Sequence, residues 1–452
     1  MKFSFRTIVF VLCCILAIHP FAKAEPSIQI AGVTTSSKAC RAFMEENPNV
    51  HVQAVLTPFQ STTELINALL TRSFVYDDFL VSSDRFDIDT LIEKGYVLDL
   101  SAYPGVTEAV THMSPAIAAL VTRGNAIYGI PYHCAIQYMA YNPAAWEALA
   151  LSDEDVPDSF PSFLRFLEKW IAYAQINDVQ DYAVFASFDE ELYDATTYAD
   201  CLVRLLMEEQ TRQCAYANQP LRFDTPDFRE NLERCLQIGL ALYQLEPEPN
   251  RGQPLFTWTQ GMERLEQFVP LRLTAEQPPL IPCTVNVCMV YTSTAVPQLA
   301  AAFAMDTLKH YETNTNIAYL YAEADPVENP GYAADVAFWE ETVAGLRARL
   351  SVEKMQPAEY LELTDELARC EKVLAEVSSE DNRYQISAAQ LACYHAYQEK
   401  LLIQPPHIFL SRNGEEQHVA SLRRQYVSGL ISADQLVNKL DQTAYMLEME
   451  AY

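Results

Sequence analysis

The chain has 452 residues, half of them hydrophobic and a fifth charged, which is the composition of a large globular protein and excludes a disordered tail. Acidic residues outnumber basic ones 60 to 31, for a net charge of −29, so phosphate backbones and anionic membranes are repelled and nucleic-acid binding is a poor reading. The 12 glycines build neither a dinucleotide fingerprint nor a phosphate loop, which removes the usual sequence support for nucleotide chemistry.

The opening places Lys2 and Arg6 ahead of an apolar run from Thr7 to Ile18, followed by His19-Pro20-Phe21-Ala22-Lys23-Ala24. A basic start, an apolar stretch too short to span a bilayer and an Ala-x-Ala site read as an export signal cleaved after Ala24. That leader holds three bases and no acid, so its loss would take the charge to −32. Cys13 and Cys14 lie within the apolar run, but Phe10-Val11-Leu12 lacks the small residues of a lipid-anchor signal, so a lipid anchor is not supported. Nine cysteines remain: Cys40, Cys134, Cys201, Cys214, Cys235, Cys283, Cys288, Cys370 and Cys393. An odd number forbids complete pairing and the density is far below that of a disulfide scaffold, so the fold must rest on packed cores.

In chain order, Ser27 to Val33 reads as a strand, Lys38 to Glu46 as a helix ended by Asn47-Pro48, Val50 to Leu56 as a strand, and Ser61 to Leu70 as a helix behind Ser/Thr caps. Phe74 to Val81 gives a third strand and Thr90 to Lys94 a short helix ended by Gly95. Such alternation implies a parallel sheet covered by helices. The middle is helical over Phe160 to Gln175, Thr196 to Glu209 and Phe228 to Leu245, and a Pro-rich loop breaks it at Glu246 to Gly252. Phe268 to Leu273 and Cys283 to Thr292 read as strands and Pro297 to Tyr311 as a helix. From Asp335 to Ser378, Trp339, Val343, Leu346 and Leu350, then Leu363, Leu367, Cys370, Leu374 and Val377, fit two helices folded back at Pro357. The last segment, Tyr426 to Glu450, turns at Gly429 and restarts at a Ser432 cap.

A series of phrases then carries a resemblance: Phe43-Met44-Glu45-Glu46-Asn47-Pro48-Asn49-Val50, Asp78-Phe79, Leu91 through Leu100, Ile127-Tyr128-Gly129-Ile130-Pro131, Tyr141-Asn142, and Val156 through Phe160. In order and spacing they resemble the extracellular solute-binding proteins of ABC importers, of the maltodextrin or sugar-binding type. The match is good over the first third, weaker to about Met305, and departs beyond Asp325. The resemblance implies an α/β, two-lobed periplasmic-binding-protein-like fold with a hinge between lobes and extra C-terminal helices. Lobe one would take residues 25–135 and 283–328, and lobe two 136–282 and 329–452, with a helical hairpin at about 335–378. It also implies ABC permease subunits as partners, a monomer, and a periplasmic or secreted location.

Candidate ligand groups follow from placement. Asp84 and Arg85 come just past a strand end, where open α/β sheets hold ligands, and a similar Asp-Arg pair contacts sugar in maltodextrin-type relatives. Gly129 and Pro131 bend an apolar strand into a crossing between lobes, and Tyr132, Gln137 and Tyr138 follow where a cleft would begin. Glu191 and Tyr193 offer an acid and an aromatic in the second lobe. Trp258, read as lying in a loop before a strand, offers a face that stacks on a pyranose; Tyr291 and Trp339 are further aromatics. No His-Glu-x-x-His, Gly-x-Ser-x-Gly or zinc spacing occurs, so neither catalysis, a cofactor nor a metal is expected. A small solute, a sugar before a polyamine, is the expected ligand; a carbohydrate-acting hydrolase is the alternative of another class.

Overall fold

The structure, a computed structural model, describes residues 26–56, 58–177, 179–185, 188, 192–246, 248, 252–262, 264–310, 315–352, 356–410 and 416–450. The leader and its cleavage site lie outside the described residues.

The first three strands are β1 (Ser27–Ala31), β2 (His51–Val55) and β3 (Asp78–Ser82). Helices Lys38–Glu46 and Thr62–Leu70 return the chain between them, so β1 pairs in parallel with both β2 and β3. Each helix starts on a serine: the Ser37 hydroxyl accepts from the Cys40 amide (3.2 Å) and the Ser61 hydroxyl from the Glu64 amide (3.3 Å). Phe43, Leu65 and Leu69 fall on the faces these helices bury. Two short strands, β4 (Thr122–Arg123) and β5 (Ala126–Ile127), then form a small antiparallel ladder.

The sheet is completed by β6 (Ile130–Tyr141), β7 (Tyr182–Phe185), β8 (Gln253–Gln260) and β9 (Ile281–Val290), in the order β2-β1-β3-β9-β6-β8-β7. Both β3 and β6 run antiparallel to β9, which is apolar and buried between them. Strand β6 makes two partnerships: Ile130 to Ile136 pair with β9, and Gln137 to Tyr141 with β8. At 12 residues it spans about 40 Å, enough to run from one packed core into another.

There are two such cores. One gathers Ile28, Phe43, Phe79, Ile130 and Val287; the other gathers Trp146, Phe163, Leu206, Phe228 and Phe256. Tyr138 and Ala140 sit in the first and Met139 in the second, so the end of β6 is shared by both cores, one on each face. From Phe256 the chain passes to the first core at Met262 and Leu265, back to the second at Val269 to Leu273 and again to the first at Ile281, and a last crossing falls between Leu401 and Phe409.

That last crossing corrects the expected division of the chain, which gave everything after residue 328 to the second lobe. Ile386, Leu391, Tyr394 and Leu401 pack in the first core, and β12 (Leu401–Ile403) pairs in parallel with β9 at Ile281 to Cys283. The physical reason is an open edge: β3 ends opposite Asn286, leaving the start of β9 without a partner on that side, and β12 fills it. From Phe409 onward the chain joins the second core through Leu422, Tyr426, Leu436 and Leu440, on helices Glu416–Val427 and Ala433–Glu450.

Between the two cores' claims on the C-terminal part lies an excursion. Strands β10 (Val327–Glu328) and β11 (Tyr384–Ile386) pair antiparallel at its base, and helices Tyr332–Val352 and Pro357–Val377 form an antiparallel hairpin. The Tyr332 hydroxyl donates to the Ser378 carbonyl (3.0 Å) and Arg347 meets Glu371 (2.7 Å) across it. Val343, Leu346 and Leu363 are buried, yet none belongs to either core. Pro357 opens the second helix, where no amide donor is needed.

One strand expected from the sequence does not form. Phe268 to Leu273 forms no ladder beyond an Ala140–Phe268 bridge, because Pro270 cannot donate to one. Strands β7 and β8 take that place in the second core's sheet.

Candidate functional site

The parallel strands end on one side of the sheet, and their exits open on a cavity of about 350 Å³. Its wall includes Gly32 after β1, Phe59 after β2, and Ser82, Asp84 and Arg85 at the end of β3. Across from these stand Tyr132, His133 and Gln137 of β6 and Thr284 and Asn286 of β9.

The turn after β3 is fixed by Ser83. Its amide donates to the Val285 carbonyl (2.9 Å), and its hydroxyl accepts from the Val285 amide (3.0 Å). The amides of Arg85 and Phe86 then both donate to the Ser82 carbonyl (3.1 and 2.9 Å), so Asp84 and Arg85 are held side by side at the cavity wall. The Ser82 hydroxyl donates to the Asp84 carboxylate. Burial pushes the Asp84 carboxyl up from its ordinary range, and the Arg85 guanidinium pulls against that rise. Together they present an acceptor pair beside a planar set of donors, the complement of vicinal hydroxyls. Gly32 lets β1 pass close by: its φ is +97°, and a Cβ there would lie 2.8 Å from that of Leu80.

Tyr132 reaches the cavity through a bulge. The β6–β9 register shifts between Pro131, which has no amide to donate, and His133, so Tyr132 is the surplus residue and its ring is re-aimed into the wall. Gly129, expected to supply unusual dihedrals, does not adopt positive φ. It is needed for space instead, since a Cβ would fall 2.5 Å from a Val287 methyl.

Beyond the bulge the strand alternates strictly. His133 and Ala135 stand opposite Asn286 and Thr284, Gln137 stands opposite Gln260, and Met139 opposite Trp258. Facing residues in an antiparallel pair share a side, so Trp258 and Gln260 project from the face that carries Gln137. Trp258 is 44% exposed. It lies on β8, not in a loop, which corrects the sequence expectation; its alternation Phe-Thr-Trp-Thr-Gln is the strand signal.

The other expected residues lie elsewhere. Tyr138 has the opposite parity to Gln137: it is buried, donates to the Gly261 carbonyl (3.0 Å) and packs edge-on to Phe268. Tyr193 donates to the Glu246 backbone carbonyl among the rings of Phe188, Tyr198 and Tyr243, and burial with Glu246 nearby pushes its hydroxyl up to about 12. Tyr291 follows β9, which is antiparallel to β3, so it sits at the far end of the sheet from the strand exits, against Phe74. Trp339 is on the hairpin beside Phe338. Glu191 lies outside the described residues. Phe59, His133, Thr284 and Asn286 were not anticipated. Thr284 and Asn286 were detectable, as the polar members of Cys-Thr-Val-Asn-Val in a strand otherwise apolar.

A larger groove of about 700 Å³ runs along helix Phe160–Ala174 over Phe166, Trp170 and Tyr173. It shares no lining residue with the cavity, and no strand exit opens into it. Two of its three acids already have partners: Asp155 accepts from the Ser152 amide (3.0 Å) and Asp158 from the Ser162 hydroxyl (3.0 Å). The smaller cavity is therefore the candidate site.

Two cores joined by a long shared strand, with a polar cavity at the exits of a parallel sheet, define the class of fold: a two-lobed α/β fold of the periplasmic-binding type. Residues 26–211 match the family profile of bacterial extracellular solute-binding proteins, in line with the resemblance read from the sequence phrases. No curated protein matches the chain in sequence. Solved structures match over nearly its whole length. A binding protein from Bacillus subtilis in an open conformation is 12% identical over 95% of this chain and 99% of that one, with a TM-score of 0.53. An ABC substrate-binding protein from Listeria monocytogenes in complex with cycloalternan is 9% identical, covers 94% and 99%, and scores 0.51. An ABC transporter solute-binding protein from Agrobacterium vitis with bound D-mannitol is 11% identical, covers 94% and 99%, and scores 0.50. At such identities the shared property is the fold. Among the described residues no helix is long and apolar enough to cross a membrane.

Proposed function

We propose that this protein is the extracytoplasmic solute-binding component of an ABC importer. It captures a sugar or short oligosaccharide between its two cores, passes it to permease subunits and leaves it unaltered. The export leader would be removed after Ala24, and the mature protein would act as a monomer in the periplasm or the medium. The observation that carries this reading is the convergence of Asp84, Arg85, Gln137 and Asn286 with Tyr132 on one cavity, on the face that also presents Trp258. Fixed acceptors and donors orient hydroxyls, and aromatic faces cover the ring. The cycloalternan and D-mannitol held by proteins of the same fold are polyhydroxylated ligands, which supports the class.

The charge of the chain would favour a polyamine, but the cavity does not: among its described lining residues the one acid, Asp84, sits beside the one guanidinium, Arg85. A glycosidase needs two carboxyl groups about 5–10 Å apart across the scissile bond, and this wall offers one. Titration calorimetry against a panel of sugars and polyamines at two salt concentrations tests the reading. The expected result is one-to-one heat with a sugar, little changed by salt. Heat with a polyamine alone, fading steeply as salt rises, would reject it.

A further inference from the structure

We propose that Glu46, Asp306 and His310 form a divalent-cation site that clips two helices of the first core together, apart from the solute cavity. Glu46 is the last residue of helix Lys38–Glu46; Asp306 and His310 are four apart on helix Pro297–His310 and so share a face. One ligand atom from each of the three lies within 4.8 Å of the other two, a spacing that a single ion bonding at about 2.0–2.2 Å can span with slight side-chain adjustment. The helices are held at this separation by Phe43 on one and Phe303 on the other, edge to face at 5.5 Å.

The charge state of the group points the same way. Asp306 is 4% exposed, and its recorded side-chain partner is the Lys309 ammonium at 3.3 Å, on a side chain that is itself 56% exposed. Among the described residues neither the Glu46 carboxylate nor the His310 ring makes a hydrogen bond or ion pair, so two donors that could ligate are left unused beside a buried carboxylate. A cation would displace only a flexible lysine. One imidazole with two carboxylates suits Zn²⁺ and similar first-row ions better than Mg²⁺ or Ca²⁺, which take oxygen alone. None of the three residues lines the solute cavity, so the ion would be structural, with water completing its shell.

The test is calorimetry and thermal unfolding of the tag-free full chain with ZnCl₂, and MgCl₂ as the comparison. One Zn²⁺ per chain is expected, with a raised unfolding midpoint and no response to Mg²⁺. Glu46→Gln and His310→Ala should each weaken Zn²⁺ binding at least tenfold while leaving the metal-free midpoint nearly in place, since Glu46 is exposed and His310 only partly buried. Lys309→Met should tighten binding by removing the competing ammonium. Wild-type affinity in the Glu46→Gln, His310→Ala double variant would mean an adventitious ion only, and it would overturn the proposal, as would wild-type protein that neither takes up Zn²⁺ nor shifts its midpoint.

Discussion

Asp78 and Asp84 in the first core and Asp200, Glu209 and Glu246 in the second are satisfied to different degrees. In the second core Asp200 meets Arg423 through two bonds (2.6 and 3.0 Å), Glu209 accepts from Gln213 (2.7 Å), and Glu246 accepts from the Val184 amide (3.2 Å) and the Tyr198 hydroxyl. In the first core Asp78 is fully buried with neither oxygen bonded, and Asp84 turns toward the cavity. In the second core Asp200 ties two helices together and the other acids are satisfied by their neighbours, whereas Asp78 and Asp84 of the first keep capacity that a proton or a ligand can fill, although Asp306 there pairs with Lys309. The asymmetry teaches where to look for binding: on the wall whose polar groups are not yet satisfied by the fold.

The comparison can be broken most sharply at Arg423. Removing it by Arg423→Met strands a partly buried carboxylate, Asp200, and detaches helix Glu416–Val427 from the second core. A loss of about 2–3 kcal/mol is expected in urea unfolding, with solute affinity unchanged; a loss below about 0.5 kcal/mol, the level of an ordinary surface change, would deny the structural role. Asp84→Ala should do the reverse: affinity for the solute falls by about thirtyfold, near 2 kcal/mol, with little change in unfolding. Tyr193→Phe, in the second core, should leave affinity as it is, and calorimetry on both variants checks the pair.

A smaller effect is expected at Asp78. Burial pushes its carboxyl well above the ordinary value, with Asp77 adding to the rise. A carboxyl whose native pKa exceeds its unfolded value contributes full stability only below about pH 4, and that contribution is lost as pH rises through the native pKa. Asp78→Asn should therefore raise stability at pH 7 by about 1 kcal/mol, and the gain should vanish at pH 3. The smallest effect belongs to His407, at the last crossing between cores, where burial lowers the ring to about 4. The unfolded chain then binds the extra proton between pH 6.5 and 4, so stability falls on acidification through that window. His407→Gln should flatten that part of the profile by under about 1 kcal/mol, allowing for partial exposure; an unchanged profile would remove His407 from the account.

Much of the first core was legible because local signals agreed with the tertiary outcome. Helix Lys38–Glu46 and the serine cap at Ser61 appear where the sequence places them, and so does the strand exit that carries Asp84 and Arg85. Tyr138 was misplaced because its aromatic character outweighed parity: Gln137 faces the cavity, so its neighbour must face the core. The bulge at Tyr132 has no local signature beyond Pro131. Strand β12 and the return of residues 386–403 to the first core depend on an edge of β9 that exists only once β3 has ended, a fact no window of sequence contains.

Small-angle scattering with the sugar identified by calorimetry tests the central claim most directly. The account predicts a radius of gyration that falls as the cores close on the sugar and returns when it is dialysed away, with mass spectrometry finding the sugar intact. An unchanged radius at saturating sugar, or a cleaved product in the dialysate, would contradict it.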